Sequence, residues 1–180
     1  MRNVFSKDLY RYYGAKGESF AQRVLRPTEL RYIAFFRKAN VCKWGPLKLY
    51  YAVKLKRMSY KTQIQIPPRT QIGEGFYIGH TGRVIIHPEA KIGKNVNVGT
   101  GVTIGYENRG ERKGAPTLAG ECWIGTNAVV VGKINVGKDV MIAPLTFVNF
   151  DVPDHSIVIG NPAKIIYKEN ATQDYIQNKV

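Results

Sequence analysis

Cysteine, histidine and acidic residues are scarce in this sequence, and each shortage excludes something. Cys42 and Cys122 are the only cysteines and form no CxxC spacing. Neither a disulfide framework nor a zinc knuckle is expected from them, and a reducing cytoplasm suits them best. His80, His87 and His155 are the only histidines, and their spacing gives no converging three-imidazole site, so no metal is expected. No run approaches the roughly 20 apolar residues that span a bilayer. Lys7, Arg11 and Lys16 interrupt the start before any apolar leader could form. Acidic residues are thinnest at one end. Residues 1–62 hold 15 Lys and Arg against 3 Asp and Glu, whereas residues 63–180 hold 12 against 10.

Almost all of the formal charge of +14 therefore lies before a boundary near Lys61. Twelve of the twenty aromatic residues lie there too. Within it, "RPTELRYIAFFRKAN" and "GPLKLYYAVKLKRMS" read as two helices, with Thr28 as an N-cap and Pro46 at the start of the second. Neither has a cleanly polar face, so both are expected to pack against something. Lys and Arg interleaved with Tyr, Phe and Trp suit an anionic membrane surface, so residues 1–62 could associate peripherally with the inner face. They equally suit helices that cap a domain with a solvated basic rim. Nucleic-acid binding is the reading from another class. No helix-turn-helix or RNA-recognition motif accompanies the charge, and no nucleic-acid partner is expected.

From Ile66 onward the aliphatic residues keep a six-residue beat. One phase runs Ile66, Ile72, Ile78 and Val84, a second Ile86, Ile92, Val98 and Ile104, and a third from Leu118 through Ile124, Val130, Val136 and Ile142 to Val148. A further small or apolar residue stands four later, as at Val96, Val102, Cys122, Ala128, Ile134 and Val140. Six is the period of neither a strand nor a helix. It fits a coil with short flat sides, each donating one aliphatic residue to a stacked interior, which is the signature of a parallel β-helix. Three hexads per coil predict about four coils. The beat slips by two residues after His80, and the gap from Ile104 to Leu118 is 14 rather than 12. That gap holds "GYENRGERKGAP", whose polarity suits an exposed loop. After the repeat, "FDVPDHSIVIGNPAKII" turns the chain off the solenoid into a C-terminal tail over residues 166–180, of which 169–180 read as loose and polar.

Residues 63–165 resemble the left-handed parallel β-helix of the hexapeptide-repeat acyltransferases, an all-β core preceded here by a short α-helical region over residues 1–62. "IGHTGRVIIHPEAKIG" resembles the catalytic coil of the serine acetyltransferase family, and "APTLAGECWIGTNAVVVGKINVG" and "VPDHSIVIGNPAKI" match its later coils and terminal turn. The resemblance implies acetyl transfer from acetyl-CoA to a hydroxyl, with His80 as general base and no metal. It implies a homotrimer or dimer of trimers with sites in grooves between solenoids. It also implies that Gly105, Gly125, Thr126 and Ala143 line the pantetheine channel and that Lys164 meets the nucleotide phosphates. His87, before Pro88, and His155, in the terminal turn, read as structural.

The departures concern the acceptor. Where serine acetyltransferases carry an acidic residue before the histidine, this chain has Gly79. Where they carry the Asp that orients the imidazole, it has Gln65, and where they carry an Arg-His pair before Pro116, it has Gly114 and Ala115. Those groups grip the ammonium and carboxylate of serine. The "GHTG" and "KGAP" forms resemble relatives among capsule, exopolysaccharide and lipopolysaccharide enzymes. A sugar hydroxyl of a surface polysaccharide is therefore the expected acceptor, with serine as the alternative. The group that orients His80 is left open among Glu89, Glu74 and a backbone carbonyl.

Overall fold

The computed structural model describes residues 2–180, with side chains from Val4 onward. The described residues form four α-helices, α1 (Arg2–Tyr13), α2 (Phe20–Val24), α3 (Thr28–Val41) and α4 (Gly45–Thr62), followed by thirteen strands numbered in chain order. The strands wind into a three-sided parallel β-helix. Side one stacks β1 (Ile64–Gln65), β4 (Val84–Ile86), β7 (Thr103–Gly105), β9 (Val129–Val131) and β11 (Phe147–Val148), so it has five layers rather than four. Side two begins with β2 (Gln71–Ile72) and β5 (Lys91–Lys94), and side three with β3 (Tyr77–Ile78) and β6 (Asn97–Val98). Two eight-residue strands, β8 (Thr117–Ile124) and β10 (Asn135–Ile142), run through the corner and serve both sides. β12 (Ser156–Gly160) adds to β10 and closes with β13 (Ala163–Tyr167) as an antiparallel hairpin.

Each residue of the six-residue beat points inward. Every one is buried except Ile72, which is half-buried and packs against the core, and the small residues four later fill the corners of the same column. Burying this many aliphatic side chains, at about 1.5–3 kcal/mol each, is the main stabilising term of the coils. Close stacking restricts the corners. A Cβ on Gly93 would collide with the backbone of Ala119 one layer up. Cys122 sits inside the column, where burial pushes its thiol up to about 12 and keeps it unreactive.

The register locates both interruptions. Ile64 pairs with Val84 and Ile72 with Ile92, each twenty residues on, whereas Ile86 pairs with Ile104 after eighteen. The two extra residues of the first coil sit at the corner holding His80. Ile92 pairs with Leu118 after twenty-six. The second interruption is therefore an eight-residue insertion in one coil, not a two-residue slip between two hexads. It emerges as a small antiparallel excursion closed by the Glu107–Gly114 bridge.

The helices cover the open end of the first coil. Tyr32 Oη accepts from Ile66 N at 2.9 Å, Tyr12 Oη accepts from Ile78 N at 3.1 Å, and an Asp8 carboxylate oxygen accepts from Phe76 N at 3.0 Å. Arg37 donates to the carbonyls of Ile72 and Gly73, and Arg11 to that of Gly75. Asp8 and Arg37 are themselves buried and paired through two contacts of 2.8 and 3.1 Å. Burial pushes the Asp8 carboxyl up, against the pull of Arg37. Pro27, not Thr28, holds the N-cap position of α3, because its extended backbone turns into the helix and Thr28 is already the first helical residue. α3 packs as expected, but the outer face of α4 does not.

The tail is not loose. Asp139 is buried and accepts from the backbone N–H groups of Ala171 and Thr172 and from Thr172 Oγ1. Asn97 donates to Tyr175 O, Arg11 to Gln177 O, and Asn95 exchanges two bonds with Val180. Residues 168–180 thus run back along the β-helix to the helical end. Their polarity serves hydrogen bonds to the coils rather than solvent, and Ala171 and Ile176 are buried beneath them.

Candidate functional site

The His80 corner joins β3 to β4 through Gly79, His80, Thr81, Gly82 and Arg83. Its base is fixed from below, where Tyr12 Oη clamps both backbone groups of Ile78 and the Tyr12 and Tyr77 rings lie 4.4 Å apart. Its far side is tied to the end of α4, with Gly82 N donating to Thr62 O at 3.1 Å. Gly82 has φ +144, and a Cβ there would lie 2.5 Å from Thr100 Cγ2, so the loop closes this tightly only with glycine. The two extra residues and two glycines push the His80 side chain outward, and it is exposed.

None of the three groups expected to orient His80 does so. Glu74 is held by Lys7 at 2.6 Å and Lys94 at 2.7 Å, contacts that lower its carboxyl below the usual range. Glu89 uses its backbone N–H on His87 Nδ1 at 3.3 Å, and its side chain is exposed at a different corner. No backbone carbonyl of the described residues accepts from the His80 ring, and Gln65 makes no hydrogen bond to it. Among the described residues neither nitrogen of this imidazole has a hydrogen-bond partner.

Above His80 the register builds one continuous edge. Ile78, Val98, Ile124, Ile142 and Val158 stack in successive layers. The residues that follow each of them, Gly79, Gly99, Gly125, Ala143 and Ile159, therefore line the same corner. Lys164 pairs with Ile159 at the far end and is exposed. His80, Gly125, Thr126 and Ala143 thus share one edge, which over the four layer spacings to Ile159 is roughly 20 Å long, with Lys164 one strand beyond it. The steric cause of the glycines is visible along it. A Cβ on Gly99 would lie 2.9 Å from Thr126 N, and one on Gly125 would lie 2.6 Å from Pro144 N.

Gly105 does not lie on this edge. It follows side one, at the corner shared with His87, whose ring packs 4.9 Å from that of Tyr106. The glycine N–H groups on the His80 edge are not free donors either, because Gly99, Gly125 and Ala143 donate to the carbonyls of Ile124, Ile142 and Val158 at 2.8 Å each. Among the described residues the N–H groups of Thr100 and Thr126, which follow Gly99 and Gly125, have no hydrogen-bond partner, and neither do those of His80 and Thr81 at the corner below. A signal for the first two was present in the sequence, since "GT" recurs as Gly99-Thr100 and Gly125-Thr126 one layer apart. The loop at 106–116 borders the other margin of side one, so Gly114 and Ala115 stand apart from His80 in the same chain. His155 bonds Asp139 at 2.9 Å, and His87 accepts from Glu89, so both serve local structure. Among the described residues no group of three or more His, Cys, Asp and Glu side chains converges on a metal position.

No protein-family model matches the chain. The chain, however, aligns with a serine acetyltransferase of Bacillus pumilus at 37% identity over 121 residues, covering 66% of this chain and 56% of that protein. The fold also superposes on a crystal structure described as a bacterial transferase hexapeptide repeat, serine O-acetyltransferase, from Brucella melitensis. There the TM-score is 0.76 at 29% identity, over 93% of this chain and 67% of the other. A serine acetyltransferase of Brucella abortus in complex with coenzyme A gives a TM-score of 0.76 at 27% identity, over 93% and 68% of the two chains. The chain carries a parallel β-helix that matches the left-handed β-helix of serine acetyltransferase structures. It spans little more than half the length of the Bacillus relative.

Proposed function

We propose that this chain is an acetyl-CoA-dependent O-acetyltransferase in which His80 is the general base. One observation carries the reading. An exposed imidazole with neither nitrogen bonded among the described residues stands at the start of a 20 Å edge, in a coil like those of serine acetyltransferases, with unpaired Thr100 and Thr126 N–H groups above it. A neutral alcohol is a poor nucleophile, and His80 would take its proton as the oxygen attacks the thioester carbonyl, a contribution of about 10²–10⁴-fold. The developing oxyanion would be met by free backbone donors such as those of Thr100 or Thr126. The imidazolium then returns the proton to the departing thiolate, so the step balances without a metal or a covalent enzyme intermediate. Gly125, Thr126 and Ala143 would flank the pantetheine arm, with Lys164 near the nucleotide phosphates. Gly105 and the 106–116 loop would meet the His80 edge of a second chain, which is the reason to expect a trimer or dimer of trimers.

The names of the relatives favour serine as acceptor. A second reading, a sugar hydroxyl of a surface polysaccharide, is favoured by Gly79, Gln65 and Ala115, which are uncharged. A zwitterionic acceptor left without charged partners would lose several kcal/mol of binding, at about 1.5–3 kcal/mol per charged hydrogen bond. The test is release of free thiol from acetyl-CoA with serine and with a panel of sugars, for wild type and His80→Ala. The proposal expects transfer to at least one hydroxyl acceptor, reduced about 10²-fold or more in the variant. Turnover that is indifferent to His80 would overturn it. Robust turnover with serine would decide the acceptor against the sugar while leaving the reaction intact.

A further inference from the structure

The proposed reaction makes no use of the outer face of α4. Its inner stripe is ordinary, with Leu55 and Thr62 buried and Leu47, Tyr51 and Met58 half-buried. The opposite stripe should be polar on a helix that faces water. Instead Leu49, Val53 and Tyr60, spaced i, i+4 and i+11, are 66%, 44% and 76% exposed, and Trp44 at the helix start is 66% exposed. Cations are interleaved with them. Lys56 Nζ lies 5.0 Å from the Tyr60 ring centre and Lys54 Nζ 5.6 Å from that of Tyr50. From residue 43 to 63 there are six Lys and Arg and no acidic residue. Among the described residues none of the six forms an ion pair.

This combination selects an occupant. A second copy of the chain would bring the same six cations to a two-fold contact, where like charges oppose association. A nucleic acid would satisfy the cations but has no use for the exposed Leu49 and Val53. An anionic lipid surface satisfies both, because the lysine stems lie along apolar surface while their ammonium groups reach phosphates. Leu, Val, Tyr and Trp meanwhile enter the interfacial layer. We propose that the outer face of α4, from Trp44 to Lys61, docks this protein on an anionic lipid bilayer. No helix of the described residues is long and apolar enough to cross one, so the contact is with the surface. The face is continuous with the candidate site, since the carbonyls of Thr62 and Gln63 accept from Gly82 and Val84 on either side of Arg83. Docking would hold the His80 corner near the lipid headgroups. That consequence rests on the proposed role of His80, whereas the docking itself does not.

The test is co-sedimentation of the full chain with vesicles of phosphatidylcholine alone and of phosphatidylcholine mixed with phosphatidylglycerol. Binding is expected only to the anionic vesicles and should weaken as salt rises. Replacing Lys48, Lys54, Lys56 and Arg57 together by Gln should weaken it about 10²–10³-fold. Leu49→Ser with Val53→Ser and Tyr60→Ser should weaken it at least about tenfold. None of these side chains is fully buried, so the melting temperature reports whether the variants fold. Absence of binding at low salt, equal binding to the neutral vesicles, or binding unaffected by the apolar triple variant would each overturn the proposal. So would a change of oligomeric mass in the α4 variants, which would make this face a protein interface. His80→Ala should bind vesicles as wild type does, so the docking and the acetyl transfer fail independently.

Discussion

The coils and the helical end solve opposite problems. In residues 63–165 the stacked column is mainly aliphatic, and the backbone of each coil is bonded to the next one, so buried charge is confined to Asp139. The first coil has no neighbour below it. Its unpaired carbonyls and N–H groups face the helices, which meet them with Asp8, Arg11, Tyr12, Tyr32 and Arg37, three of them charged and buried. A repeat can be closed by apolar residues only where it continues, and at an end it needs non-repeating polar ones. The six-residue beat is carried by the coils, whereas the buried charges that close the stack, those of Asp8, Arg11 and Arg37, are concentrated at the helical end.

The sharpest way to break the contrast is to remove one polar group from the cap. Arg37→Leu leaves the Asp8 carboxylate buried without its bidentate partner and orphans the Ile72 and Gly73 carbonyls. A loss of about 3–5 kcal/mol in denaturant unfolding is expected. An effect under about 1 kcal/mol would mean that the cap contributes by apolar contact alone. Ile104→Ala asks the same of the coils. It hollows a fully buried position in the column between Ile86 and Val130, and about 3 kcal/mol should be lost in the same measurement. A markedly smaller loss would mean that the layers collapse onto the gap, so that the column is less rigid than its register implies.

The same contrast explains what could be read from the chain. The hexad beat is a repeated signal, and each of its positions faces inward because all layers impose the same requirement. The His80 corner was legible for a related reason, as a break in that beat. The cap was not, because Asp8 and Arg37 lie 29 residues apart and nothing in their neighbourhood marks them as partners. The insertion was misjudged because a gap of 14 residues is compatible with two hexads plus two or one hexad plus eight, and only inter-coil pairing separates them. The neighbours of His80 failed for want of long-range information, since Glu74 is close in sequence but is claimed by Lys7 and Lys94.

The tail offers a milder form of the cap's chemistry and a way to titrate it. Burial would raise the Asp139 carboxyl, but bonds from Thr172, His155 and the Ala171 N–H outweigh it and hold the group at about 2. The folded value lies below the ordinary carboxylate value of 3.8. The stabilisation is therefore complete above pH 4 or so and is lost as pH falls toward 2. By linkage it amounts to about 2 kcal/mol. Asp139→Asn should cost that much at neutral pH, with the gap between wild type and variant closing between about pH 4 and pH 2. Amide exchange across residues 168–180 should rise in the variant while that of the inner coils is unchanged. A gap that stayed constant with pH would show that the asparagine acts through geometry alone, and that the tail is clasped by shape rather than by charge.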